Sequence, residues 1–225
     1  MKDKSFTRKF VFAAQSLQAV MKGMVVYMKR FFLSMILILG LIWMTGCSKE
    51  ELILTAETVD SDTILAKNNG EIQVATVEEF GEDYYNLNEL TEFVTAEIDE
   101  YNLSSGGTNV TMNELQMKNN NVVMIISYSG MKHYAEFNKV IGAYFNGGKT
   151  DIAMDLPDTL INVKNGSGEN TSDVLQNESL RFLVIDESVD ILVDGKIQFI
   201  SGNLDVSNNK IQGVNEGRKV IAFKP

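Results

Sequence analysis

The chain has 225 residues, room for one ordinary domain behind a leader, and a formal charge of −10 that is unevenly spread. Residues 1–46 hold seven Lys or Arg and a single acid, Asp3, whereas the remainder holds 13 basic and 29 acidic residues, a charge of −16. A surface so acidic, without even a short basic run, excludes a nucleic-acid binder, which must displace counterions from phosphates, and disfavours electrostatic adhesion to anionic lipid.

Residues 1–27 precede Met28 and fit no export signal, because so long a basic region ahead of the apolar stretch is unusual. Met28 is therefore expected to be the true start and the upstream residues a start-codon artefact. The alternative is a basic cytoplasmic extension, helical around Phe10 to Val26. From Met28 onward, Lys29-Arg30 is a basic n-region, Phe31 to Met44 an uncharged apolar run, and Thr45-Gly46 lead into Cys47. That is the layout of a secretory signal over residues 28–46, with a run too short for the roughly 20 residues of a spanning helix. Cys47 is the only cysteine, so neither an intrachain disulfide nor a multi-cysteine metal site can form.

Met44-Thr45-Gly46-Cys47 resembles the lipobox of bacterial lipoproteins, with Met44 where Leu is usual. The resemblance covers residues 28–47 only. It implies that the Cys47 sulfur receives a diacylglyceryl group, that signal peptidase II cuts before it, and that Cys47 becomes the mature N-terminus. The residues suit that chemistry: small side chains admit the backbone to a protease, and a thiol is the required soft nucleophile. Two acyl chains, at about 0.8 kcal/mol per buried methylene, anchor stably where one is marginal. The implied partners are the membrane, through lipid on Cys47, and the lipoprotein-processing enzymes. The implied location is the extracytoplasmic face of the cell membrane.

Residues 47–60 read as the lipidated cysteine and an acidic tether, and residues 61–225 as a single domain. Thr63 to Lys67 and Glu71 to Thr76 are β-branched apolar runs around Asn68-Asn69-Gly70, the pattern of a hairpin. Asn86 to Asn102 is the strongest helix, with Leu87, Leu90, Val94, Ile98 and Tyr101 on one face. Asn86 is its expected cap, Glu89 completes a capping box, and Tyr85 is placed to staple onto Leu90. Its Glu89, Glu92, Glu97, Asp99 and Glu100 read as a solvated face. A second hairpin is expected over Asn109 to Met117 and Val122 to Tyr128, where Val122, Met124, Ile126 and Tyr128 alternate. A second helix follows from Met131 to about Tyr144, with Tyr134, Phe137 and Ile141 as its core stripe. Gly166 to Asp173 reads as a loop.

From Leu180 to Phe223 the sequence breaks into short strands: Leu180 to Ile185, Val189 to Val193, Lys196 to Ser201, Leu204 to Val206, Lys210 to Val214 and Lys219 to Phe223. Asp194-Gly195 is a strong hairpin turn, with Asn208-Asn209 and Glu216-Gly217 weaker ones. The expected class is α+β: an antiparallel sheet, made of hairpins and a C-terminal β-meander, with about two helices packed on one side.

The chemical motifs are few. His133 is the only histidine and lacks a nucleophile elbow to work with. Asp60, Asp62 and Glu71 match three EF-hand positions, but Ile64 and Leu65 replace a ligand and the obligatory glycine. Asp186, Glu187, Asp190 and Asp194 cluster in sequence; alternation puts Asp186, Asp190 and Asp194 on the outer, solvated face of strands, with a weak calcium site there as the alternative. Ser129-Gly130-Met131-Lys132 resembles the Ser-x-x-Lys nucleophile motif of penicillin-binding proteins and serine β-lactamases, without that family's other motifs, and Ser129 also reads as a helix cap. The expectation is a membrane-anchored extracytoplasmic protein that acts as a non-enzymatic binding or structural module, with a small ligand or envelope protein as partner. An envelope serine hydrolase using Ser129 and Lys132 is the alternative. Cys47 is assigned as the lipid site, and no catalytic, metal or cofactor residue is assigned.

Overall fold

Strands form where apolar residues fill both alternating faces, and they assemble into two sheets in a computed structural model that describes residues 51–82, 85–149, 152, 154–213 and 217–225. The signal peptide expected over residues 28–46, Cys47 and Glu216 lie outside these residues. The first sheet uses β1 (Thr63–Ala66), β2 (Ile72–Glu79), β3 (Val110–Lys118), β4 (Asn121–Tyr128), β9 (Asp190–Val193), β11 (Val206–Ser207) and β12 (Lys210–Ile211) in the order β11-β12-β9-β1-β2-β4-β3. The second uses β5 (Gly142–Asn146), β6 (Thr159–Asn162), β7 (Gly168–Asn170), β8 (Arg181–Ile185), β10 (Lys196–Ile200) and β13 (Lys219–Lys224) in the order β5-β8-β13-β10-β6-β7. Pairings are antiparallel except between β1 and β9, which run parallel. Helices α1 (Leu87–Ser105), α2 (Met131–Asn138) and the short α3 (Thr171–Leu175) complete an α+β fold.

The alternation sorts side chains between faces. Ile64, Ile72, Ile126 and Tyr128 of the first sheet meet Leu183, Ile185, Ile221 and Phe223 of the second in the main core, to which α1 adds Val94 and Ile98 and α2 adds Met131 and Tyr134. Both long helices therefore sit on the same side of the first sheet. The residues between these point the other way. Phe182, Val184, Val220 and Ala222 pack under Val174, Leu175, Met154 and Leu156. Leu65, Ala75, Val123 and Ile125 pack under Leu54, Ala56 and Val59.

That last contact corrects the tether. Leu54, Ala56 and Val59 are buried, the Leu54 N–H donates to Gln73 Oε1 at 2.5 Å and the Ala56 N–H to Glu114 Oε2 at 2.8 Å. Burying each of Leu54 and Val59 contributes about 1.5–3 kcal/mol, enough to hold the segment down. The folded unit runs from Leu52 to Pro225.

Both expected hairpins form, β1–β2 and β3–β4, the second closed by Asn119 at φ 57°. Asn86 caps α1 as expected, accepting from the Asn88 and Glu89 amides. Glu89 instead takes the Asn86 side-chain amide, and Tyr85 stacks on Phe80 at 4.7 Å.

Other expectations need correction. The second helix stops at Asn138, where Lys139 turns left-handed at φ 57°, and Gly142–Asn146 becomes β5 along β8. Gly142 lies so close to β8 and α2 that a Cβ there would stand 2.6 Å from Met131 Cε. Ile141 is left 54% exposed. The expected loop over 166–173 contains β7 and the start of α3, which Asn170 caps through the Ser172 amide. Asp194-Gly195 closes no hairpin. It carries the chain from β9 in the first sheet to β10 in the second, because strands apolar on both faces need covering on both sides, which a flat meander cannot supply. No helix among the described residues is long and apolar enough to cross a membrane.

Candidate functional site

A cavity of about 290 Å³ opens between the two long helices and the first sheet. Six segments build it. Asp62 stands just before β1. Strand β2 contributes Val74 and Thr76 and β4 contributes Met124, Ile126 and Tyr128, each set two residues apart and so on one face. Phe93, Val94 and Glu97 come from one side of α1, and Tyr134, Phe137 and Asn138 from one side of α2, at helical spacing. The β8–β9 connection supplies Glu187 and Val189. The helix stripes read as core in the sequence thus stop short of full contact with the sheet.

The polar groups are ordered. Asp62 Oδ1 accepts the Val77 N–H at 2.8 Å, and Glu187 Oε2 accepts the Tyr134 hydroxyl at 2.5 Å. Burial raises the Tyr134 hydroxyl far above its ordinary value, and Glu187, Tyr128 and Asp62 add to the effect. Burial likewise pushes Tyr128 up to about 12; the Asn138 amide that donates to it at 3.1 Å pulls the other way. Tyr128 and Tyr134 meet edge to face at 5.1 Å. The second oxygens, Asp62 Oδ2 and Glu187 Oε1, take no hydrogen bond among the described residues. No buried side-chain polar atom there lacks a partner, so these half-buried oxygens face space that solvent or a ligand reaches. The lining has three carboxylates, from Asp62, Glu97 and Glu187, and no Lys, Arg or His.

The residues singled out from sequence are dispersed. Ser129 does not cap α2: Gly130 holds that position without a side-chain bond. Ser129 Oγ donates to Asn109 Oδ1 at 3.0 Å, in an open polar hollow shared with Asn113 and Ser127, while Lys132 is paired with Glu136 at 3.7 Å. The structure links neither side chain to the other. His133 Nδ1 lies 3.0 Å from the Tyr101 hydroxyl, which donates to Glu136.

The carboxylates expected to be solvated are engaged instead. Asp186 holds Arg218 in a two-pronged pair at 2.9 Å, and the half-buried setting makes that geometry worth more than an exposed pair. Asp190 is buried and accepts from Ser61 Oγ and the Gly213 N–H, both at 3.0 Å. Of the original candidates Cys47 alone lies outside the described residues. Asp62 and Glu187 were missed as a pair because 125 positions separate them, and no spacing rule joins them. The chain matches no protein-family model, no curated protein and no solved structure.

Proposed function

We propose that this chain is a lipid-anchored extracytoplasmic binding module, held to the membrane through Cys47 and taking a small ligand in the cavity between α1, α2 and the first sheet. The observation that carries the binding role is the cavity itself: apolar walls with a few polar groups oriented by the protein, the usual make-up of a small-molecule site. Its lining offers no Ser, Cys, His or Lys as nucleophile, and the Tyr134 proton is committed to Glu187. These features favour holding over reacting. The Met28 to Cys47 pattern supports the anchor, and an acidic domain of charge −16 needs such an anchor to stay at a membrane.

Met124 lines the cavity, so its ¹³C-methyl resonance reports occupancy. Titration of the protein with benzyl alcohol is expected to shift that resonance saturably. Thr76→Trp, which fills the cavity from a half-buried strand position, abolishes the shift while leaving the melting midpoint in place. A shift that grows linearly without saturation, or that survives Thr76→Trp, contradicts the binding role.

A further inference from the structure

We infer that the cavity selects a small organic ammonium ion with an apolar or aromatic body; this rests on the cavity being the ligand site and specifies its occupant. Asp62 and Glu187 each spend one oxygen on a protein donor and turn the other to open space. Both carboxylates line the same cavity as Tyr128 and Tyr134, whose rings meet at 5.1 Å, and Glu187 accepts the Tyr134 hydroxyl there. An alkylammonium has three donors and no acceptor, which matches two free carboxylate oxygens better than any neutral or anionic group does. No basic side chain in the lining competes for them. The nearby Lys219 Nζ donates to the Glu187 backbone carbonyl at 2.8 Å.

The remaining walls choose the body of the ligand. Phe93, Phe137, Tyr128 and Tyr134 present ring surfaces, and Val74, Val94, Met124, Ile126 and Val189 fill the rest. Aromatic faces attract a weakly hydrated organic cation and stack on an aromatic body. Among the described residues no three carboxylates are grouped closely enough to hold a metal ion in place of its water. At about 290 Å³ the space sits at the lower edge of small-molecule sites, which suits an amine with one ring. Phe93 is 63% exposed, an unusual place for a phenylalanine in a charged helix, and as part of the lining it stands where an entering ligand would cover it.

The test compares three probes that share a phenylethyl body, on the full chain through the Met124 methyl resonance: 2-phenylethylammonium, 2-phenylethanol and 3-phenylpropionate. The ammonium ion is expected to bind about tenfold tighter than the alcohol, and the carboxylate not at all. Asp62→Asn and Glu187→Gln keep the acceptors for the Val77 N–H and the Tyr134 hydroxyl, so the fold stays. Each should cut ammonium affinity about three- to tenfold and leave alcohol affinity unchanged. Equal saturable binding of ammonium and alcohol, or ammonium affinity unchanged in both variants, overturns the cation preference and leaves the cavity standing as a site. Displacement of the ammonium ion by millimolar Ca²⁺ at constant ionic strength overturns the choice of an organic cation. If no probe gives a saturable response, the binding site itself is overturned.

Discussion

Asn102 ties the helix that carries Phe93, Val94 and Glu97 to the strand beside it, and its removal tests how the cavity wall is held. Its Nδ2 donates to the Val110 carbonyl at 2.8 Å, and its Oδ1 accepts from the Asn109 N–H at 2.8 Å and the Val110 N–H at 2.9 Å. Val110 is 1% exposed, so water cannot fully replace what Ala takes away. With about 0.5–1.5 kcal/mol for each bond and partial rehydration at Asn109, Asn102→Ala is expected to cost about 2–3 kcal/mol. For a domain of this size that lowers the melting midpoint by about 5–10 °C. Asn102→Asp keeps both accepted bonds and loses only the donated one, so it should cost about half as much. Trp43, the one tryptophan of the sequence, falls in the proposed signal peptide, so urea unfolding is followed by tyrosine fluorescence and circular dichroism, and the denaturant slope should not change. A cost below about 0.5 kcal/mol for Ala, or equal costs for Ala and Asp, refutes the assignment of these bonds as the tie between α1 and β3.

Unfolded tyrosine titrates near 10, whereas Tyr128 in the fold is pushed up to about 12 and Tyr134 is raised further still. Their contribution to stability is therefore fully present below about pH 10 and is lost as pH climbs from there, by up to about 1.4 kcal/mol per pH unit for each group. The urea midpoint should fall between pH 9.5 and 11.5 and fall less steeply in Tyr134→Phe; a flat profile means these hydroxyls are not buried. At Gly147 an added Cβ would stand 1.9 Å from the Asn177 carbonyl oxygen, whereas at Gly166, φ 71°, it would meet nothing within 4 Å. Gly147→Ala is expected to cost about 2–4 kcal/mol and Gly166→Ala about 1, so similar melting losses for the two would show that the β5 turn is not pressed against the α3–β8 connection.

Local features were legible in the sequence where a single segment decides them. Alternation along Val122 to Tyr128 and the cap at Asn86 act within a few residues, and both appear where expected. The end of α2 was not legible, because Tyr134, Phe137 and Ile141 keep helical spacing past the true stop. Pairing of Ala143, Tyr144 and Phe145 with Val184, Leu183 and Phe182 outweighs that local preference. The division into two sheets was hidden for the same reason. Asp194-Gly195 has hairpin chemistry, but Ile191 to Val193 finds its partners on β1 and β12, and Ile197 to Ile200 finds its own on β13 and β6. Asp190 looked solvated by alternation and is buried because Ser61 and Gly213 fold over it from distant loops. The cavity joins six segments: Val94, Met124, Ile126, Tyr128, Tyr134 and Phe137 were legible one element at a time, as apolar faces, but nothing in the sequence brings those faces to one space.

The central claim, a module fixed outside the cell by lipid on one residue, is tested most directly at Cys47. Serine keeps the size and polarity of the site but removes the thiol proposed to accept the lipid, and no basic amphipathic helix among the described residues offers a second anchor. Cells expressing the wild type or Cys47→Ser are fed a clickable fatty acid, and the protein is followed by labelling, size and detergent partition. The wild type should label and partition with membranes at the mature size, and the variant should be unlabelled and either released or left as the uncut precursor. A variant that still labels and still partitions with membranes at the mature size contradicts the account.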